Sequence, residues 1–165
     1  MAVVACAGPA RRPDGGVGLL PVGAVAPDLT GHDREGHDVR LSELRGKPAV
    51  VYFYPKDGSP NCTREACAFR DVWTRYEDAG VAVIGVSRDS ADSHASFLRD
   101  EKLPFALASD PDGVVATNYG VRKLLWGDER VTFLVDRAGH VARVWPKVDP
   151  GTHAQEVIEA AQALP

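Results

Sequence analysis

The 165-residue sequence contains no internal repeat, no basic run longer than two residues, and no apolar stretch near the roughly 20 residues that a membrane helix needs. Its 19 Lys and Arg against 23 Asp and Glu leave a formal charge of −4, which makes nucleic acid a poor partner. No segment is expected to span a bilayer. Cysteine is scarce too, at three residues. A domain of this size buries roughly 70% of the surface its unfolded chain exposes, so it needs neither disulfide staples nor a structural metal. The three cysteines are therefore free for chemistry. At 44% hydrophobic and 25% charged, the composition is that of one ordinary globular domain and excludes collagen, coiled coil and an acidic disordered tail.

Residues 1–21 show neither helical period nor strand alternation and are rich in Gly and Pro, so they read as a flexible tail ahead of a domain over 22–165. Within the tail, Val3-Val4-Ala5-Cys6 followed by Ala7-Gly8 has the small-residue shape of a lipoprotein cleavage box. A working signal needs a basic segment and an apolar run ahead of that box, and only Met1 and Ala2 precede it. The chain as written is expected to be cytoplasmic; an envelope lipoprotein anchored through Cys6 is the alternative if the true start lies upstream.

Along 22–165, Asp28-Leu29-Thr30 and Val39-Arg40-Leu41 flank a polar turn and predict a β-hairpin. The runs 49–54, 81–86 and 131–135 are continuous β-formers, the pattern of strands covered on both faces. Between the first two, Ala66, Phe69, Val72, Trp73 and Tyr76 recur at helical spacing, which predicts one helix over 62–79 stopped by Gly80. Further helices are expected over 90–102, 114–119 and 152–163, and 141–145 should return antiparallel to 131–135. The βαβ spacing requires a parallel strand pair. The sum is α/β, a mixed central sheet flanked by helices with an N-terminal hairpin, in the element order of a thioredoxin-like fold.

Cys62 sits where the first central strand has ended and the long helix begins, the place at which open α/β sheets build their sites. Unpaired N–H groups and the positive end of the helix dipole favour a thiolate there. Cys67 follows five residues on. In an intact helix the two Cα atoms lie roughly 8–9 Å apart, by a rise of about 1.5 Å and a turn of about 100° per residue. A disulfide needs less than about 7 Å, so a bond between them requires the helix start to unwind.

The run Tyr52-Phe53-Tyr54-Pro55-Lys56-Asp57-Gly58-Ser59-Pro60-Asn61-Cys62-Thr63-Arg64-Glu65-Ala66-Cys67 resembles the active-site segment of the peroxiredoxins, in the branch called bacterioferritin comigratory protein or peroxiredoxin Q. The likeness extends over nearly all of 22–165. It implies a thioredoxin-like fold and a thiol peroxidase that reduces hydrogen peroxide and organic hydroperoxides, with no cofactor and no metal. By that resemblance Cys62 attacks the peroxide and becomes a sulfenic acid, and Cys67 resolves it to an intramolecular disulfide. Ser59 would hydrogen-bond sulfur and peroxide, Pro55 would shield the pocket, and Arg130 would hold the thiolate and the polarising oxygen, with Glu65 orienting Arg130 or the helix start. Thioredoxin or a similar reductant and a monomeric state are implied in the same way. Two departures stand out: Asn61 where the branch has Gly, and Ser59 where many members have Thr.

Two other readings compete on the cysteines alone. A thioredoxin-like disulfide oxidoreductase would space them C-x-x-C, and a Sco-type copper-delivery protein C-x3-C with a distant His. The five histidines read as surface residues, because no carboxylate or cysteine cluster stands beside His32 or His37 and the others are isolated. Trp126, in the loop before Arg130, is a candidate pocket rim.

Overall fold

The computed structural model describes residues 8–165. Cys6 and its flanking box fall outside them. Strands β1 (Thr30–His32) and β2 (Asp38–Arg40) form the expected hairpin, followed by a single 3₁₀ turn over Leu41–Leu44. Next come β3 (Ala49–Phe53), α1 (Pro60–Asp71), α2 (Trp73–Ala79), β4 (Ala82–Ser87), α3 (Ala91–Asp100) and β5 (Ala106–Ser109). The chain continues through α4 (Val114–Asn118), a two-residue hairpin of β6 (Lys123–Leu124) and β7 (Gly127–Asp128), β8 (Val131–Val135), β9 (Val141–Trp145) and α5 (His153–Gln162).

Seven strands form one mixed sheet in the order β2-β1-β5-β4-β3-β8-β9. β3 and β4 are parallel, as the crossover helix demands, and β8 lies antiparallel to β3 with Phe53 opposite Val131. β3 and β8 are buried along their whole length. Alternation along β3 sends Val50, Tyr52 and Tyr54 into one core layer with Phe69, Tyr76, Leu98 and Ile158. Val51 and Phe53 go to the other face with Ala116, Tyr119 and Phe133. Helices α1, α2, α3 and α5 cover the first face; α4 and the N-terminal segment cover the second.

Three features depart from the sequence reading. The long helix breaks at Val72 (φ −108°, ψ 15°), and α2 then stacks Trp73 on Tyr76, 5.8 Å between ring centres, against the core around Phe105. The strand β5 has no counterpart in the predicted elements: Ala106-Leu107-Ala108-Ser109 is short and weak in β-formers, and its extended shape comes from parallel pairing with β4. Packing also reaches into the stretch read as tail, since Leu20 is buried and its N–H donates to Tyr119 O. Among the described residues no helix is long and apolar enough to cross a membrane.

Candidate active site

The loop from Pro55 to Ser59 leaves the C-terminal end of β3, and α1 starts at Pro60, two residues earlier than its apolar period suggested. Pro at the first helical position suits a start, since its missing N–H would have no helical partner anyway. Ser59 is the N-cap by backbone geometry, yet its hydroxyl donates to Lys56 O at 3.1 Å instead of capping the helix. First-turn N–H groups are thus left facing the site. Asn61 is helical and not at positive φ; among the described residues the only non-glycine there is Lys102. The replacement of Gly by Asn therefore costs no backbone strain.

Cys62 lies in that first turn, 1% exposed. Arg130 precedes β8, and the register that sets Val131 opposite Phe53 brings Arg130 to the end of β3 where the cysteine loop begins. Its Nη2 donates to Cys62 Sγ at 3.3 Å, while Nη1 forms a short ion pair with Glu65 Oε2. Glu65, one turn beyond Cys62, is fully buried, and its Oε1 has no partner among the described residues. Burial pushes the Glu65 carboxyl up from its ordinary 4.5 to about 7, with the Arg130 charge pulling the other way. Arg130 is itself held above its ordinary value: burial opposes its charge, and Glu65 and Cys62 outweigh that.

Of the sequence-predicted residues, Cys62, Glu65 and Arg130 thus meet directly, while Pro55 and Ser59 lie on the loop that leads into α1. Cys67 does not reach that cluster. It is half-buried on the same intact helix, and its Sγ donates to Glu101 Oε2 at 3.5 Å, just beyond α3. Both Cys62 and Cys67 are free thiols.

Several residues that the sequence reading passed over hold the loop in place. Asp57 Oδ1 accepts from Tyr54 OH at 2.6 Å, and its Oδ2 accepts from Ser93 Oγ at 2.7 Å and lies 2.7 Å from His94 Nδ1. The Asp57 N–H donates to Asp89 Oδ2 at 2.8 Å. His94 Nε2 lies 3.1 Å from Ala108 O, so the ring bridges the Asp57 loop to β5. His94 is buried, which corrects its reading as a surface residue. Its place at i−4 from Leu98, on the inward face of α3, was the available signal.

His153 is corrected likewise: it is fully buried, 2.7 Å from Thr132 Oγ1, in line with Val157 and Ala161 on the inner face of α5. Burial first, then the Arg130 charge, lower it from 6.5 to about 4, so a neutral imidazole backs the site. The Tyr52 hydroxyl is buried without a partner, and burial together with the nearby Glu65 and Cys62 pushes it well above its ordinary value.

The β6–β7 hairpin packs against the start of the cysteine loop. Gly127 (φ +134°) lies so close to Pro55 that a Cβ there would land on the Pro55 carbonyl oxygen. Asp128, buried, pairs with Arg88 Nε at 2.6 Å and ties the hairpin to the end of β4. Trp126 is 77% exposed at the hairpin tip. The histidines at the N-terminal turn also need amending: Asp33, Glu35 and His37 do bring ligand-type atoms within 4.8 Å of one another. Asp33 already accepts from the N–H groups of Glu35 and His37 as a turn residue.

Residues 22–144 match the model of the AhpC/TSA family. A curated relative from Coxiella burnetii, named as peroxiredoxin bcp, is 46% identical over 146 residues, covering 84% of this chain and 97% of its own. Among solved structures, peroxidoxin BcpB of Mycobacterium tuberculosis superposes with a TM-score of 0.79 at 30% identity, over 88% of this chain and 99% of the other. The bacterioferritin comigratory protein of Xanthomonas campestris, described for its alkyl peroxide reduction activity, gives 0.76 at 33% identity over 87% and 96%. With the family model matched over 22–144, a curated peroxiredoxin relative covered almost end to end and solved structures of the same kind superposing on nearly the whole domain, the chain belongs to the AhpC/TSA family and is a peroxiredoxin.

Proposed function

We propose that this thiol-dependent peroxidase works through Cys62 as the peroxidatic residue and Cys67 as the resolving one. The observation that carries the assignment is the 3.3 Å contact of Arg130 Nη2 with the buried Cys62 sulfur at a helix start, with Glu65 holding the guanidinium's other arm. The thiolate is the reactive form of a thiol, and Arg130 sets a cation beside the sulfur where it reacts. The thiolate attacks one peroxide oxygen and the O–O bond breaks. The product is Cys62–SOH, and the leaving oxygen takes a proton to give water or an alcohol. Arg130 and the N–H groups stabilise charge as it builds on that oxygen. Ser59, which donates to Lys56 O, keeps lone pairs to accept from the peroxide O–H. Pro55 closes the side of the pocket facing Gly127.

In the second step Cys67–SH condenses with Cys62–SOH, forming the disulfide and releasing water. Both cysteines lie in one wound helix, so this step needs its first turns to open. A dithiol protein of the thioredoxin kind then restores both thiols by exchange, and the unit acting is a monomer. The peroxiredoxin relatives favour this reading over a disulfide reductase or a copper carrier.

The test mixes reduced protein with hydrogen peroxide or an alkyl hydroperoxide in stopped flow and follows intact mass. Loss of two hydrogen atoms, with Cys62 and Cys67 joined, is expected. Cys62→Ser should abolish the reaction, and Cys67→Ser should stop at the sulfenic acid. Oxidation of the wild type no faster than that of free cysteine would overturn the assignment.

A further inference from the structure

Cys67 is not simply waiting on the outer side of α1. Its thiol donates to Glu101 Oε2 at 3.5 Å, and Arg70, three residues further along the helix, donates to the Glu101 carbonyl oxygen at 2.7 Å. Glu101 is itself anchored at the end of α3, its N–H donating to Phe97 O at 3.1 Å. The backbone of Glu101 is thus anchored both by α1 and by the end of α3, which places its carboxylate beside the sulfur.

We propose that Glu101 is a positioning residue for the second chemical step, keeping Cys67 as a hydrogen-bonded thiol while α1 is wound and giving it up only when the helix opens. The inference rests on Cys67 being the resolving cysteine. Its chemistry is simple: a carboxylate that accepts from S–H stabilises the thiol against the thiolate, and the thiolate is the nucleophile. Burial acts in the same direction, and together they push the Cys67 thiol above its ordinary range.

Among the neighbouring side chains, Glu101 favours the thiol both by its hydrogen bond and by its charge, and Asp71 adds to it. On α1, Arg70 opposes it but is shared with Asp71, which Nη2 meets at 3.0 Å, and Arg64 lines the same groove of about 360 Å³ that Cys67 opens onto. The α5 side of that groove, Gly151, Ala154 and Gln155, carries no charge. The result is an enforced order of events. Cys67 stays quiet toward peroxide and toward foreign disulfides until the sulfenic acid has formed and the helix start has unwound.

Two measurements on the full chain test this. In a reduced Cys62→Ser background, the rate of Cys67 alkylation by iodoacetamide is followed against pH, with peptide mass mapping to separate Cys67 from Cys6. Glu101→Gln, which keeps size and removes charge, should lower the midpoint by roughly half to one pH unit. Alkylation below the midpoint should then be about three- to tenfold faster. With Cys62 present, quenched flow should show an unchanged peroxide-consuming phase and a severalfold faster disulfide phase in Glu101→Gln. An unchanged or raised alkylation midpoint would overturn the proposal. So would a slower disulfide phase, which would make Glu101 an acceptor of the Cys67 proton instead of its hold. If the wild type shows no peroxide phase at all, the peroxidase assignment fails by itself, while the alkylation profile still judges Glu101.

Discussion

Replacing Glu65 by Gln should make this protein less sensitive to alkaline pH. Glu65 is fully buried, one oxygen is paired with Arg130 and the other has no partner. The guanidinium that would stabilise its anion is shared with the Cys62 sulfur. Its carboxyl therefore titrates at about 7 in the folded protein against an ordinary 4.5. A raised acid binds its proton more tightly when folded, so its contribution to stability is fully present below pH 4.5 and is lost as pH rises through 7. The full shift corresponds to about 3 kcal/mol, from roughly 1.4 kcal/mol per unit. Between pH 5 and pH 8 the wild type should lose about 2 to 3 kcal/mol relative to Glu65→Gln, whose side chain does not titrate. Urea unfolding of both reduced proteins across that window measures it. Parallel stability curves would refute the reasoning, because they would mean that Glu65 ionises as easily in the fold as out of it.

Three other outcomes are expected. Arg130→Gln removes both the contact to Cys62 and the partner of Glu65, and the second-order rate with peroxide should fall by about 10²- to 10³-fold, as for loss of a preorganised donor; stopped-flow rates within tenfold of wild type would count against its role. His94→Leu removes the ring that lies 2.7 Å from Asp57 Oδ2 and 3.1 Å from Ala108 O, which should cost about 1 to 3 kcal/mol in denaturant unfolding by leaving buried acceptors with one partner fewer, and an unchanged urea midpoint would show that the contact does not hold the loop. Gly127→Ala forces a side chain onto the Pro55 carbonyl at a positive φ; a drop of about 1 to 3 kcal/mol or more is expected, with weaker peroxidase activity, and an unchanged urea midpoint would contradict the close approach.

Much of this was legible from the chain alone. Continuous β-former runs over 49–54, 81–86 and 131–135 marked the three central strands, because a strand covered on both faces has no polar side to show. The loop-to-helix position of Cys62 marked it as the candidate reactive thiol, since helix starts favour anions locally, and the Pro55, Ser59, Cys62 spacing pointed the same way through its resemblance to the peroxiredoxin segment. What stayed hidden were elements whose identity depends on a distant neighbour. β5 is extended because β4 offers it a ladder, and α1 ends at Val72, after which Trp73 packs on Phe105 and stacks on Tyr76. His94 and His153 were misread as exposed because polarity outweighed their place on an apolar face.

The sequence by itself determined the α/β class and most of the strand and helix order, and it singled out Cys62 as the candidate nucleophile, all of which follow from local period, turn chemistry and helix electrostatics. Only the tertiary structure decided which groups surround that nucleophile. Arg130 stands 68 residues from Cys62, Glu101 34 from Cys67 and His94 37 from Asp57. Each pair meets because strand register and helix packing close long loops, and the buried charges so assembled take their protonation from one another and from burial, neither of which exists in an extended chain.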